Sequence, residues 1–276
     1  MGRTIAPGCL LAPFCIVFLG LFVYPQIHML AISLGAPRWT TANYARFLTD
    51  PYYFGVLGRS LLLGCFVTAT TVLLGLPLAY WLARSEGRLP HLLLLLTTFP
   101  LWISAVVRSF GWIVLLARSG AISDLLQWLA LTGRPFQLLY TMAGVVIALA
   151  QVLLPFMVLS LYGVIRSIDP EIERAAQNLG AGPWRAALLT TLPLARRGIM
   201  AGSLIVFALS ISAFATPSLV GGARVQIMST TIYEQMAELA DWHFAAAVAF
   251  ILLAVVLAIS LVYSRFAIAG EGIPGR

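Results

Sequence analysis

The chain has 276 residues, 61% of them hydrophobic and only 10% charged, against about 25% charged residues in soluble domains. With a mean hydropathy of +0.95, that composition excludes an ordinary soluble fold. The net charge of +7 comes from arginine alone, since the sequence has no lysine, and this excludes the phosphate-binding loop G-x-x-x-x-G-K-[ST], whose lysine reaches the β/γ-phosphates of ATP.

The first apolar run covers residues 9–34. It is longer than the core of a signal peptide and lacks a convincing small-residue cleavage site, so it is read as a retained span. Five further runs follow near 59–83, 91–117, 141–165, 198–220 and 244–268, each about 20 residues or more, enough to cross roughly 30 Å of hydrocarbon as a helix. The ten-residue alternation of outer-membrane barrels is not seen. The expected fold is all-α, an integral membrane protein with one transmembrane domain over 1–276. Pro25, Pro77, Pro100, Pro155 and Pro217 lie inside spans, as kinks or as hinges around a pathway, kinks being the commoner case. Cys9, Cys15 and Cys65 also fall in spans, so no disulfide framework is implied.

Between the spans lie three outer loops. Residues 35–58 carry Trp39, Tyr44, Tyr52 and Tyr53, suited to a membrane interface. Residues 121–134 predict a short surface helix capped by Ser123 or Asp124 and ended by Gly133. Residues 221–243 open with Gly221-Gly222 and offer a capping box, Thr231 to Glu234, followed by Glu238 and Asp241.

With the amino terminus inside, the inner segments hold Arg3, Arg84, Arg88, Arg166, Arg174, Arg185, Arg196, Arg197, Arg265 and Arg276. The outer loops hold Arg38, Arg46, Arg59, Arg118, Arg134 and Arg224. The excess faces the cytoplasm, as the positive-inside rule requires, which places both termini and loop 166–197 inside. Arginines spread in this way form no basic patch for nucleic acid.

Loop 166–197 is a polar island in an apolar chain. Asp169 suits an N-cap, Pro170 a first helical position, and Glu171 and Glu173 the positive helix end. Ile172, Ala175, Ala176 and Leu179 then fall at i, i+3, i+4 and i+7 as one narrow apolar stripe, and Gly180 stands where a glycine ends a helix. A second helix starts at Pro183 with Trp184, Ala187, Leu188 and Thr191 on one face, and Leu192-Pro193 is expected to break it. The stripe suits either a connector packed on its own bundle or a docking face for another chain.

The run Glu173-Arg174-Ala175-Ala176-Gln177-Asn178-Leu179-Gly180-Ala181, with Leu192-Pro193 about a dozen residues later, resembles the EAA loop of permease subunits in ATP-binding-cassette importers. Pro100-Leu101-Trp102, Val107 to Trp112, Ala213 to Gly222 and Met228 to Gln235 are similar to permeases of the spermidine/putrescine type. The resemblance implies the type I ABC importer permease fold with six transmembrane helices, set in a bacterial inner membrane. It implies that Glu171, Ile172, Glu173, Arg174, Ala175, Ala176, Leu179, Gly180, Ala181, Leu192 and Pro193 form a cytoplasmic coupling element. The implied partners are a second permease subunit, two ATP-binding subunits holding ATP-Mg, an extracytoplasmic solute-binding protein and membrane lipid. No cofactor or metal is expected in this chain. One departure stands out: Arg174 occupies the position of the motif's glutamate, while Glu173 lies about 100° around the helix.

Other chemistry finds little support. The ten carboxylates, Asp50, Glu86, Asp124, Asp169, Glu171, Glu173, Glu234, Glu238, Asp241 and Glu271, lie in loops or termini, so a proton-coupled carrier has no acid inside the bundle. His28, His91 and His243 lie near boundaries or in a loop. Neither H-E-x-x-H nor G-x-S-x-G occurs. Arg108 is the odd charge, within or near the outer half of the third span, and reads as structural, either snorkelling outward or bonding backbone carbonyls as an anchor. Arg108, Trp112, Ser212, Phe214 and Pro217 are the candidate substrate-path residues. An ion-gradient-driven carrier and a non-transporting scaffold are the alternatives.

Overall fold

The computed structural model describes residues 7–35, 39–129 and 137–269. Arg3, Arg38, Gly133, Arg134, Glu271 and Arg276 lie outside the described residues, and so does the side chain of Cys9. Among the described residues every regular element is helical: α1 (Pro7–Phe18), α2 (Tyr24–Ser33), α3 (Ala42–Thr49), α4 (Pro51–Arg84), α5 (Arg88–Thr98), α6 (Ala105–Leu116), α7 (Ala121–Trp128), α8 (Met142–Ser167), α9 (Glu171–Asn178), α10 (Pro183–Ala186), α11 (Leu192–Leu194), α12 (Arg196–Ser212), α13 (Met228–Tyr233) and α14 (Trp242–Ala269). Short π or 3-10 turns join several of them.

Among the described residues, five helices are long and apolar enough to cross a membrane, or up to six if the pair Pro183–Leu194 and Arg196–Ser212, bent by 66°, is one span. Two expected spans are broken. Span 91–117 is interrupted at Ile103 and Ser104, whose backbones are extended. Pro100, with no N–H to donate, has already tightened the chain into a 3-10 turn over Phe99–Trp102. Span 198–220 ends at Ser212, and Ala213 is extended. Pro217 could not donate to the Ala213 carbonyl in a continuing helix, and Ser229 Oγ donates to it instead at 2.7 Å.

Chain contacts divide the protein into two compact units, Met1–Gly55 with Thr231–Val255, and Val56–Thr230 with Val256–Arg276. In the first, Phe14, Phe18 and Phe22 stack along the amino-terminal span. Ser33 Oγ meets Tyr44 Oη at 2.7 Å, tying the end of α2 to α3. Phe47 is fully buried beside Tyr53, which packs edge-on against Phe244. Arg46 reaches Asp241 at 3.0 Å and lies over the Phe244 ring, while Asp241 Oδ1 accepts from the Phe244 N–H and caps α14.

The second unit is built around α4, α8 and α12. Leu63, Val67, Met157, Leu161 and Val206 are fully buried in its apolar core. Gly198 and Gly202 set α12 against Ser160, Val164 and Met157 of α8, the small-xxx-small packing that lets two membrane helices approach closely. α8 is capped by Thr141, whose Oγ1 accepts from the Gly144 N–H at 3.2 Å.

Two cap expectations fail. α7 begins at Ala121 after Gly120, so Ser123 and Asp124 lie inside its first turn and give it no cap. Gly120 wins because a Cβ there would meet the Leu115 and Val114 carbonyls at 2.5 Å. Around Thr231 the helix has already begun at Met228, and Thr230 Oγ1 accepts from the Ile227 N–H at 3.0 Å. Thr231 is buried inside α13 and Glu234 continues the helix as a π turn, so residues 228–238 are helical rather than loop.

Candidate coupling site

α9 and its surroundings hold the candidate coupling residues. Asp169 Oδ1 accepts from the Glu171 N–H at 2.9 Å, capping the start of α9, with Pro170 at its edge. At the other end Gly180 has φ +90°. The Ala181 N–H donates to the Ala176 carbonyl at 3.1 Å and the Gly180 N–H to the Gln177 carbonyl at 2.9 Å, the paired bonds of a Schellman cap. The helix therefore ends where the glycine places it, and Leu179 is thrown outward, 90% exposed.

The expected apolar stripe faces away from its own chain. Ile172 is 41% exposed, Ala175 is exposed and Ala176 half-buried. Ala175 and Leu179 do not pack on the bundle as the connector alternative requires, while Ile172 and Ala176 are partly covered. Arg174, in the place of the motif glutamate, is exposed and pairs only with the equally exposed Glu171 three residues earlier, an arrangement worth a few tenths of a kcal/mol.

Glu173 does the opposite. It is the one buried residue of α9 and receives four donors. Arg84 Nη2 and Nε reach its Oε1 at 2.7 and 2.9 Å, and Tyr80 Oη reaches Oε2 at 2.9 Å. Thr191 Oγ1 also donates to Oε1. Arg84 Nη1 goes on to the Ile168 carbonyl at 3.0 Å, and Arg166 Nη1 to the Ala83 carbonyl at 2.9 Å. Burial alone would raise the Glu173 pKa, but the bonds from Thr191, Tyr80 and Arg84 outweigh it and hold the carboxyl below its ordinary range. A depressed carboxyl pKa contributes stability above its unfolded value, so the cluster is intact at neutral pH and is lost only on acidification through that lowered range.

Past Gly180 the chain turns into α10 and α11. Trp184, Leu188, Thr191 and Leu192 line a cleft with Pro77, Tyr80 and Ile165, so the expected face forms. The expected break before the fifth span falls at Ala195, two residues past Pro193, where the chain bends by 66°. A π turn over Ala187–Thr191, closed by the Leu192 N–H on the Ala187 carbonyl, makes room for the proline ring, and the helix runs on to Leu194 before bending at Ala195.

The substrate-path candidates are distributed differently. Arg108 and Trp112 lie on α6 and Pro217 on the π turn Pro217–Gly221, and these elements touch through Ser109 Oγ and Thr216 Oγ1 at 3.2 Å. Pro217 is buried. Trp112 Nε1 donates to Gln151 of α8 at 3.4 Å. The Ser212 hydroxyl is spent on the Ala208 carbonyl, and Phe214 is 37% exposed. A cavity of about 530 Å³ lies elsewhere, lined by Leu61, Cys65, Thr68, Ser203, Phe207 and Tyr263 among others, and includes none of the five.

Arg108 holds the broken third span together. Its Nη1 donates to the Pro100 carbonyl at 2.5 Å, which also accepts from the Ile103 N–H at 3.3 Å, and to the Ile103 carbonyl at 3.4 Å, so it bonds backbone acceptors on the far side of the break. Arg108→Gln is expected to cost about 2 kcal/mol, the range for a lost bond from a charged donor. A thermal melt in detergent would show the loss, and solute preference should be unchanged.

Sequence reasoning missed Tyr80 and Arg84 as partners of Glu173. They stand about 90 positions away with no spacing signal; the available hint was a lone arginine at the end of an apolar span and an acid out of register with its motif.

Comparison with known proteins places these features. A family model described as "Binding-protein-dependent transport system inner membrane component" matches residues 72–268. The spermidine/putrescine transport system permease protein PotB of Escherichia coli (strain K12) is 35% identical over 227 residues, 82% of each chain. The molybdenum transport system permease protein ModB of Mycobacterium bovis is 34% identical over 240 residues, 86% of each chain. Among solved structures, a chain of a bacterial alginate ABC transporter in complex with an alginate pentasaccharide-bound periplasmic protein superposes with a TM-score of 0.80 at 18% identity, covering 99% of this chain and 97% of that one.

Proposed function

The chain belongs to the family of binding-protein-dependent transport system inner membrane components, and from that footing we propose that it works by letting α9 dock into an ATPase carried on separate subunits. Its similar proteins are transport permease subunits rather than enzymes, and it has the all-helical fold of ABC importer permeases. The observation that carries the proposal is the division of labour on α9: an apolar stripe exposed on one side, a charged anchor buried on the other.

In this reading 1–276 acts as one permease domain with both termini and loop 166–197 in the cytoplasm. It pairs with a second permease subunit and two ATP-binding subunits, and receives solute from an extracytoplasmic binding protein. ATP-Mg sits on the ATPase pair, and this chain holds no cofactor of its own. The solute is a polyamine, a reading supported by the identity to PotB. The chain itself supplies little of the selectivity, because among the described residues the candidate spans hold a single carboxylate, Asp124 at the end of Ala105–Leu125, to neutralise a polycation, so the choice of solute falls to the binding protein.

Reconstitution tests this. Proteoliposomes holding both permeases, the ATPase pair and the binding protein should take up spermidine only with ATP inside the compartment facing the ATPase. Uptake by this chain alone, driven by an ion gradient, would overturn the proposal in favour of a secondary carrier. Transport of molybdate in place of spermidine would overturn the solute alone.

A further inference from the structure

A docking helix is useful only if its displacement reaches the membrane, and apolar contacts slide. The single buried side chain of α9 is a carboxylate, held by directional, charge-assisted bonds. Two of its partners, Tyr80 and Arg84, stand one turn apart at the end of α4, whose 34 residues run about 51 Å. Arg84 also grips the Ile168 carbonyl just before α9, and Arg166 grips the end of α4 in return. The third partner, Thr191, lies in the π turn of the helix that leads into α12.

We infer that Glu173 is a positioning residue that makes α9, the end of α4 and the turn 187–191 move as one body, so that the stroke received on the exposed stripe passes into the membrane. This rests on the reading of α9 as the ATPase-docking helix. The departure at position 174 fits the same design. Arg174 points outward with a labile partner and carries no load inside the chain, while the adjacent acid has turned inward as the strut. Arginine suits the other end of the strut because its planar fork engages one carboxylate oxygen with two N–H groups and still has Nη1 for a backbone carbonyl.

The test measures rigidity directly and needs no solute. In the full transporter, Gln177→Cys on α9 and the native, exposed Cys65 on α4 are spin-labelled, with Cys9 and Cys15 replaced by serine. Their separation is read without nucleotide and with trapped ATP. The wild-type distance should hold within about 2 Å between the two states. Glu173→Gln should let it shift or broaden by roughly 5 Å, one helical turn. Tyr80→Phe, which removes one bond and leaves the ion pair, should fall between them, and the exchange Arg84→Glu with Glu173→Arg should restore most of the rigidity.

A wild-type distance that changes as much as that of Glu173→Gln overturns the inference, and so does a Glu173→Gln distance that stays fixed. Co-purification of the ATPase is followed in parallel. If the wild-type chain fails to retain the ATPase, the docking reading falls. If all variants retain it and the distances ignore Glu173, only the strut falls.

Discussion

Leu179→Asp is expected to cut ATP-driven uptake at least tenfold while the permease still folds, inserts and melts as the wild type does. The expectation comes from exposure. Leu179 is 90% exposed at the end of α9 and has nothing in its own chain to lose, so any penalty must arise in a complex. An apolar anchor at the centre of an interface is worth about 2 kcal/mol or more when removed, close to a thirtyfold loss in affinity, and a carboxylate buried in its place adds its own desolvation cost. Ala176→Arg should act in the same direction, since the half-buried alanine lets another backbone come close and a guanidinium would hold it away. Gly180→Trp combines both effects: no heavy atom of the chain lies within 4 Å of an added Cβ, but φ +90° strains any side chain there. Pulldown of the ATPase with each variant, beside a melting curve of the isolated permease, separates lost docking from lost fold. Full ATPase retention by Leu179→Asp would remove the stripe from the interface.

Much of this was legible from the residues, and the failures share a physical cause. Long apolar runs announced the spans because a lipid-facing helix needs nearly every side chain to be greasy. The start and stop of α9 were legible because Asp169, Pro170 and Gly180 act through local backbone geometry. The stripe was legible as a stripe, but the direction it faces depends on Tyr80 and Arg84, which meet Glu173 only after folding. The breaks at Ile103 and Ala213 were hidden for a related reason. Pro100 and Pro217 each permit a kink or a full interruption, and the outcome goes with side-chain donors beyond the break that the hydropathy pattern does not show, Arg108 in one case and Ser229 in the other. At Leu192-Pro193 a π turn absorbs the ring locally, and the expected break comes two residues later, at Ala195.

Gly202→Leu should have the largest effect on the fold itself, removing most of the properly folded chain from the membrane. Apolar side chains gain little by leaving lipid for protein, so packed membrane helices depend on close contact rather than on exclusion of water. α12 meets α8 through Gly198 and Gly202. A Cβ at 202 would stand 2.8 Å from Met157 Sδ and 3.1 Å from Ser160 Cβ, and one at 198 would stand 3.1 Å from the Ser160 carbonyl oxygen and from Val164 Cβ. Alanine at 202 is expected to cost about 1 kcal/mol, since the fully buried Met157 is unbranched and can shift its sulfur slightly. Leucine brings three further carbons into a closed gap, and the helices must separate, at about 3 kcal/mol or more. Gly163→Leu is the control: it lies on the facing helix α8, with nothing within 4 Å of an added Cβ, and should leave folding unchanged. Size-exclusion profiles and melting curves in detergent would rank the three variants. The consequence reaches the cytoplasmic side, because α12 follows the helix 183–194 across a 66° bend and Thr191 of that helix bonds Glu173. Displacing α12 therefore pulls on the anchor of α9, so Gly202→Ala, folded but loosened, should lower ATP-driven uptake by more than its small loss in melting temperature accounts for.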